Sequence, residues 1–359
     1  MTPIVRTVLG DIDPGELGVT LTHEHLLIEF GRWQREAAER GELPVPAPRL
    51  ESDDPRSADP LRLETVGWVR RNWAMHPDNM LLEDEDLAIA EIRAFHEAGG
   101  RAIVDATNLD LHRQPEALVR IAQAVGLHIV MGAGHYVADF HPLDMDDRDE
   151  ERIAGEIAAD VTDGCDGTTI RAGVIGEIGC SWPLTENERR SLRASARAQR
   201  ETGAALLIHP GRDPRSPLEI MSIVREAGGN PQRTIMSHLD RTIFEDAELV
   251  ELASTGCYLE FDLFGQESAY YPLSPIDMPN DATRVDHLRH LIDAGYGERL
   301  LVAHDVCRKT SLAAYGGEGY AHILTNVVPL MERKGFGQSE IDAILVDNPA
   351  RVLAFEAGE

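Results

Sequence analysis

Apolar residues in this chain arrive in short dense bursts, separated by longer stretches with helical spacing. Eight bursts read as β-strands: 19–24, 101–106, 128–132, 173–177, 205–209, 234–238, 258–261 and 300–304. Between most of them lie amphipathic stretches that predict helices, among them 84–98, 115–124, 186–202, 217–227 and 282–294. Several of these end at a glycine, as in Thr202-Gly203 and Ala294-Gly295, which suits a left-handed helix cap. Strands alternating with helices predict parallel β-α-β units. The runs IVDAT, ALLIH and LLVAH are apolar almost throughout, as expected of strands covered on both faces. Such a series favours a closed (β/α)8 TIM barrel. The alternative, an open doubly wound sheet, ordinarily carries a glycine-rich phosphate turn after its first strand. Here the first strand runs instead into HEHLL.

One stretch breaks the rhythm. Residues 31–80 separate the first strand from its helix and contain PVPAP, Trp68 and Trp73. In a barrel this insertion emerges over the C-terminal strand ends, as a lid, as one wall of a pocket, or as a surface or oligomer contact. Otherwise the chain reads as one domain, 1–359, and its length falls in the roughly 200 to 400 residues such barrels occupy.

Charge narrows the partners. There are 34 basic and 62 acidic residues, a formal net charge of −28, which repels phosphate backbones and anionic lipid. Nucleic acid and membrane are therefore not expected partners; a small molecule is, and a homodimer is compatible. The 4 cysteines, Cys165, Cys180, Cys257 and Cys307, include no C-x-x-C pair and read as reduced thiols. With no signal-peptide pattern at MTPIVRTVLGDID, the expected location is the cytoplasm.

Candidate chemistry sits where the strands end. The first closes in Thr22-His23-Glu24-His25, and alternation sends His23 and His25 to one side and Glu24 to the other. Later strands end at Glu177, His209, His238 and the pair His304-Asp305. Any one of these alone would read as a structural polar group. Metal-ligand types at the end of strand after strand, at the face where barrel enzymes place their active sites, point to a metal centre. Four imidazoles and two carboxylates exceed what one tetrahedral site with an open position needs. Two divalent ions are therefore expected, with Glu177 as the bridge. Zn²⁺ is the first expectation; Mn²⁺ and Co²⁺ suit the same donors.

The segment GVTLTHEHL at 18–26 resembles the opening strand of the phosphotriesterase family, within the amidohydrolase superfamily. GVIGEIGCSWPLTE at 173–186, IHPGR at 208–212, MSHLDRT at 236–242, VAHD at 302–305 and GGEGYAHILTNVVP at 316–329 are similar to motifs of its phosphotriesterase-related branch. The resemblance runs over nearly the whole chain. It implies that His23, His25 and Asp305 hold a buried ion, His209 and His238 a more exposed one, and that Glu177 bridges them. Many family members bridge with an N-carboxylated lysine. Lysine occurs here only as Lys309 and Lys334, so Glu177 is left for that role.

Such a centre implies hydrolysis: the ions activate water and polarise the scissile carbonyl, and Asp305 carries the proton to the leaving group. Arg212, Arg241, Arg308 and Lys309 each follow a ligand-bearing strand closely and are candidates to bind an anionic substrate, with Tyr136 as a further contact. His135 and Asp262 are also placed near the pocket. The resemblance implies an amide substrate, a small N-acyl amine or amino acid such as N-acetyltaurine. A lactonase or carboxylesterase, or a weak phosphotriesterase, would use the same centre.

Overall fold

A computed structural model describes residues 2–39, 52, 54–268 and 271–356. Eight parallel strands form its centre: β1 (Thr20–Glu24), β2 (Ala102–Asp105), β3 (His128–Ala133), β4 (Val174–Gly179), β5 (Ala205–His209), β6 (Thr234–Met236), β7 (Tyr258–Phe261) and β8 (Leu300–Val302). Each pairs with its neighbour in chain order. The last and first are joined by Asp305 N donating to His23 O at 3.2 Å and His25 N donating to Val306 O at 3.2 Å. This is the expected (β/α)8 barrel. The helices that cover it include α1 (Glu85–Glu97), α2 (Pro115–Val125), α3 (Glu150–Thr162), α4 (Glu186–Thr202), α5 (Ser216–Glu226), α6 (Asp246–Ala253) and α7 (Asp281–Asp293).

Local sequence explains the helix ends. Thr185 and Glu188 close a capping box at the start of α4, and Gly203 ends it at φ 79°. Packing then divides into two shells. Val104, Val130, Val174, Leu207, Ile235 and Leu301 fill the barrel interior, and Leu17 and Leu353 join them. A larger apolar shell, including Ile103, Ile129, Ile208, Leu192 and Ile220, lies between strands and helices. At about 25 cal/mol per Å² of buried apolar surface, these shells supply the main drive to fold.

The seam between β8 and β1 is closed by a side chain as well as by backbone. The fully buried Glu24 carboxylate accepts from His304 N at 2.9 Å, His304 Nδ1 at 2.7 Å and Val306 N at 3.0 Å. Its turn away from His23 and His25 is what the alternation predicts.

Two strands are shorter than their sequence suggests. β6 stops at Met236 and β8 at Val302, so His238 and Asp305 stand in the following turns. Both have left-handed backbones, φ 53° and 50°, which cannot continue a ladder. Such conformations cost of order 1–3 kcal/mol each and collect at functional sites. The 31–80 insertion is not a bare loop either. It holds a helix at Arg32–Glu39, a short helix at Val66–Val69 and turns at Trp73–Met75 and Pro77–Met80. Residues 40–51 and 53 of the insertion lie outside the described residues.

Candidate metal centre

Glu177 stands at the middle of four imidazoles. Its Oε2 lies 2.8 Å from His209 Nδ1, 3.4 Å from His238 Nε2 and 3.7 Å from His23 Nε2; its Oε1 lies 3.3 Å from His25 Nε2. Asp305 Oδ1 completes the group, 3.3 Å from His25 Nε2 and 4.0 Å from His23 Nε2. The six predicted residues thus converge from five strand ends. The pairing register shifts between Leu21 and Glu24 in β1 and between Ile175 and Ile178 in β4, so irregular backbone lies beside His23 and Glu177.

The donor set fits a pair of divalent ions. His23, His25 and Glu177 form one trio with ligand atoms within 4.8 Å of one another, and Glu177, His209 and His238 form a second. His23 Nε2 is fully buried, faces this group and has no hydrogen-bond partner. A buried imidazole nitrogen without a partner is costly unless something else binds it. Glu177 belongs to both trios, which is what a bridge requires.

Groups behind the imidazoles aim them. His238 Nδ1 lies 2.8 Å from Asp262 Oδ1 and His23 Nδ1 lies 3.2 Å from Asp262 Oδ2. His23 Nδ1 also meets Ser237 Oγ and Glu260 Oε2, and His25 Nδ1 meets Thr107 Oγ1 at 2.9 Å. Protons held on these Nδ1 atoms leave Nε2 as the ligand nitrogen. Asp262 therefore stands behind the ligands, fully buried, rather than along the pocket wall. His135 is also kept from the pocket, paired with Asp110 at 3.1 Å. Sequence reasoning missed Glu260, Ser237 and Thr107. The charges in Tyr258-Leu259-Glu260-Phe261-Asp262, within a buried strand end, were the available signal.

Electrostatics follow the geometry. Burial opposes ionisation of Glu177, yet hydrogen bonds from His209, His23 and His238 outweigh it and hold the carboxyl well below the usual carboxylate range. Burial likewise opposes charge on His25, but Asp305 and Glu177 raise its pKa to about 9. His209 is driven well below the imidazole range by burial, then by His238, with Arg241 adding to this against the pull of Glu177. An imidazole must lose its proton before it binds a metal. Apparent metal affinity is therefore expected to rise from pH 6 to about 9, by about tenfold per pH unit for each proton displaced. Calorimetry of metal binding in buffers of different protonation enthalpy checks this; identical heats would mean that no proton is expelled.

Above the centre opens a cavity of about 310 Å³. His209, His238 and Asp305 form its floor, and Arg212, Arg241, Arg308 and Tyr136 are among its walls. The insertion contributes Trp73, Ala74 and Met80, so it does form one wall of the pocket. Tyr136 OH lies 3.3 Å from His209 Nδ1, and burial followed by Glu177 raises the phenol well above its usual value, so it keeps its proton. The buried Arg241 contacts His209 Nε2 at 3.0 Å and Pro210 O at 3.1 Å. Lys309 is not brought to this cavity. Its ammonium pairs with Asp78 Oδ1 at 2.5 Å and borders a separate, smaller cavity of about 150 Å³. A larger cavity of about 450 Å³ lies alongside and shares Gln266 and Arg308, but none of the six ligands lines it. The candidate ligands His209, His238 and Asp305 on its floor mark the 310 Å³ cavity as the candidate active site.

The phosphotriesterase family model matches residues 3–353. The chain belongs to the phosphotriesterase family. Its binuclear metal dependence agrees with the ligand set found here. The chain is 44% identical over 354 residues to the N-acetyltaurine hydrolase of Tetraodon nigroviridis, and 43% identical to that of Homo sapiens, covering 98% of this chain and of each relative. A resiniferatoxin-binding protein from Rhodobacter sphaeroides superposes with TM-score 0.89 at 34% identity, covering 98% of this chain and 94% of that one. The lactonase Lmo2620 from Listeria monocytogenes does so with TM-score 0.79 at 25% identity, covering 98% and 99%. Among the described residues no helix is long and apolar enough to cross a membrane, and all four cysteines are free and buried.

Proposed function

We propose that this protein is a metal-dependent hydrolase that cleaves the amide bond of a small N-acyl amine with an anionic tail, N-acetyltaurine first among them. One observation carries the anionic tail. Arg212, Arg241 and Arg308 all border the cavity above the ligands, and among the described residues none of them has a carboxylate partner. In a chain of net charge −28 that is unusual economy: three guanidiniums are kept for something other than the protein's own acids. Guanidinium forks match sulfonate, carboxylate and phosphate. The relatives named N-acetyltaurine hydrolase supply the sulfonate.

His23, His25 and Asp305 would hold one ion, His209 and His238 the other, with Glu177 between. When bound, the ions supply an activated water and polarise the scissile carbonyl; Zn²⁺ is our first choice, with Mn²⁺ and Co²⁺ compatible. The chain's own groups do the rest. Asp305 is the most exposed of the six ligands, its side chain 17% accessible, so it can take the proton from water and hand it to the leaving nitrogen. Tyr136, still protonated, can donate to the carbonyl oxygen as negative charge develops there. The arginines fix the far end, leaving the acyl group over the metals. Free buried thiols support a reducing, cytoplasmic setting.

A lactonase is the second reading, favoured by the apolar side of the cavity, where Phe30, Val137, Phe140, Leu263 and Leu273 could take a neutral ring. N-acetyltaurine, a lactone and an aryl phosphotriester, assayed side by side on metal-analysed protein, separate the two. The amide is expected to give the highest kcat/KM; a lactone turned over faster would overturn the amide reading.

A further inference from the structure

Two of the unpaired guanidiniums are the ends of one stack. Arg308 lies over the indole of Trp73, its guanidinium carbon 4.5 Å from the ring centroid. Tyr271 follows, its ring 6.3 Å from that of Trp73 and inclined by 33°. Arg212 then donates from Nε to Tyr271 Oη at 3.0 Å. At the other end Arg308 donates to Gln266 Oε1 at 2.7 Å, and Gln266 Nε2 donates to His304 O at 2.8 Å, one residue from Asp305. All five side chains border the cavity. They come from the 31–80 insertion and from the segments that follow β5, β7 and β8. The stack is therefore tied to the backbone beside Asp305 and forms part of the cavity lining.

A guanidinium has five N–H donors. Arg212 spends Nε–H on Tyr271, and Arg308 spends one N–H on Gln266, leaving the others without a protein acceptor among the described residues. An aromatic face holds the cation by its quadrupole and neutralises none of its charge. A carboxylate in the same place would fix the arginine equally well and cancel its attraction for an anion. Aromatic packing is thus the arrangement that orders these side chains and keeps them available.

We propose that Trp73 and Tyr271 are specificity-determining positioning residues, which hold Arg308 and Arg212 ready for the anionic tail of the substrate. This rests on the amide-hydrolase reading above. Neither residue touches the scissile bond. Their loss weakens binding of charged substrates more than that of neutral ones, through KM rather than kcat.

The test compares N-acetyltaurine with its neutral methyl sulfone, N-(2-methylsulfonylethyl)acetamide, which keeps the acyl group and chain and loses the charge. Wild type is expected to prefer the sulfonate. Trp73→Ala should lower that preference about tenfold, through KM for the sulfonate with kcat held, and Trp73→Phe should restore most of it. Tyr271→Phe, which removes only the hydroxyl that Arg212 meets, should show the same KM effect and serves if Trp73→Ala does not fold. Metal content and thermal melting confirm that each variant is intact. A wild type without the sulfonate preference overturns the anionic-tail reading and this inference with it. A wild type with the preference, undiminished in Trp73→Ala or Tyr271→Phe, overturns this inference alone.

Discussion

Glu177→Ala is expected to lose both metal ions and to lower kcat/KM by roughly 10³-fold or more, since the ions supply several kcal/mol of transition-state stabilisation. The reason is position. All four imidazoles lie within 3.7 Å of the Glu177 carboxylate, and two of the three possible ligand trios among the described residues include it, the third being His23, His238 and Asp262. Alanine leaves two pairs of histidines with no anion between them. No lysine stands ready to take the place: the chain's only lysines are Lys309, paired with Asp78, and Lys334, paired with Asp286. Elemental analysis of purified protein reads the outcome directly. Two ions per chain retained in Glu177→Ala would show that the bridge lies elsewhere.

Asp305→Asn should give a different signature. Asparagine keeps an oxygen beside His25 and preserves the shape of the turn, so much of the metal should remain. What it removes is the group able to accept a proton. Turnover should fall by about 10²–10⁴, the usual weight of a positioned acid–base group, while KM changes little. Steady-state kinetics on protein of measured metal content decides it. Near-normal kcat with both ions present would take Asp305 out of proton transfer. The left-handed backbone at Asp305, φ 50°, favours asparagine over alanine as the probe, because asparagine tolerates that region well.

Most of the barrel was legible because its strands are buried on both faces. Runs such as Ala205–His209 have nowhere to go but a covered sheet, and the strand matches its burst residue for residue. The ligands were legible for the same reason: a histidine or glutamate closing an apolar run has to justify its burial. Strand ends were less so. Nothing local in Thr234–Met236 announces that His238 will adopt φ 53°, since that conformation is imposed by what the side chain must reach. The pocket wall was harder still. Arg212 and Arg308 could be placed near the mouth by counting from β5 and β8, but their stacking on Tyr271 and Trp73 joins residues from distant segments. Lys309 shows the converse. One position beyond Arg308, it turns to Asp78 in the insertion instead of to the cavity, a pairing no local pattern encodes.

The seam between β1 and β8 also sets a schedule. A ribosome releases the chain N-terminus first, and 280 residues separate Glu24 from His304, the pair that locks the barrel shut. At about 5–20 residues per second, His23 and His25 wait roughly 15–55 s for Asp305 to be made. Until then five of the six residues of the group are made, but the barrel that holds His23 and His25 beside the others cannot close. A full pair of ions is therefore an event of the completed polypeptide, and a nascent chain stalled before the eighth strand should hold metal more weakly than the finished one.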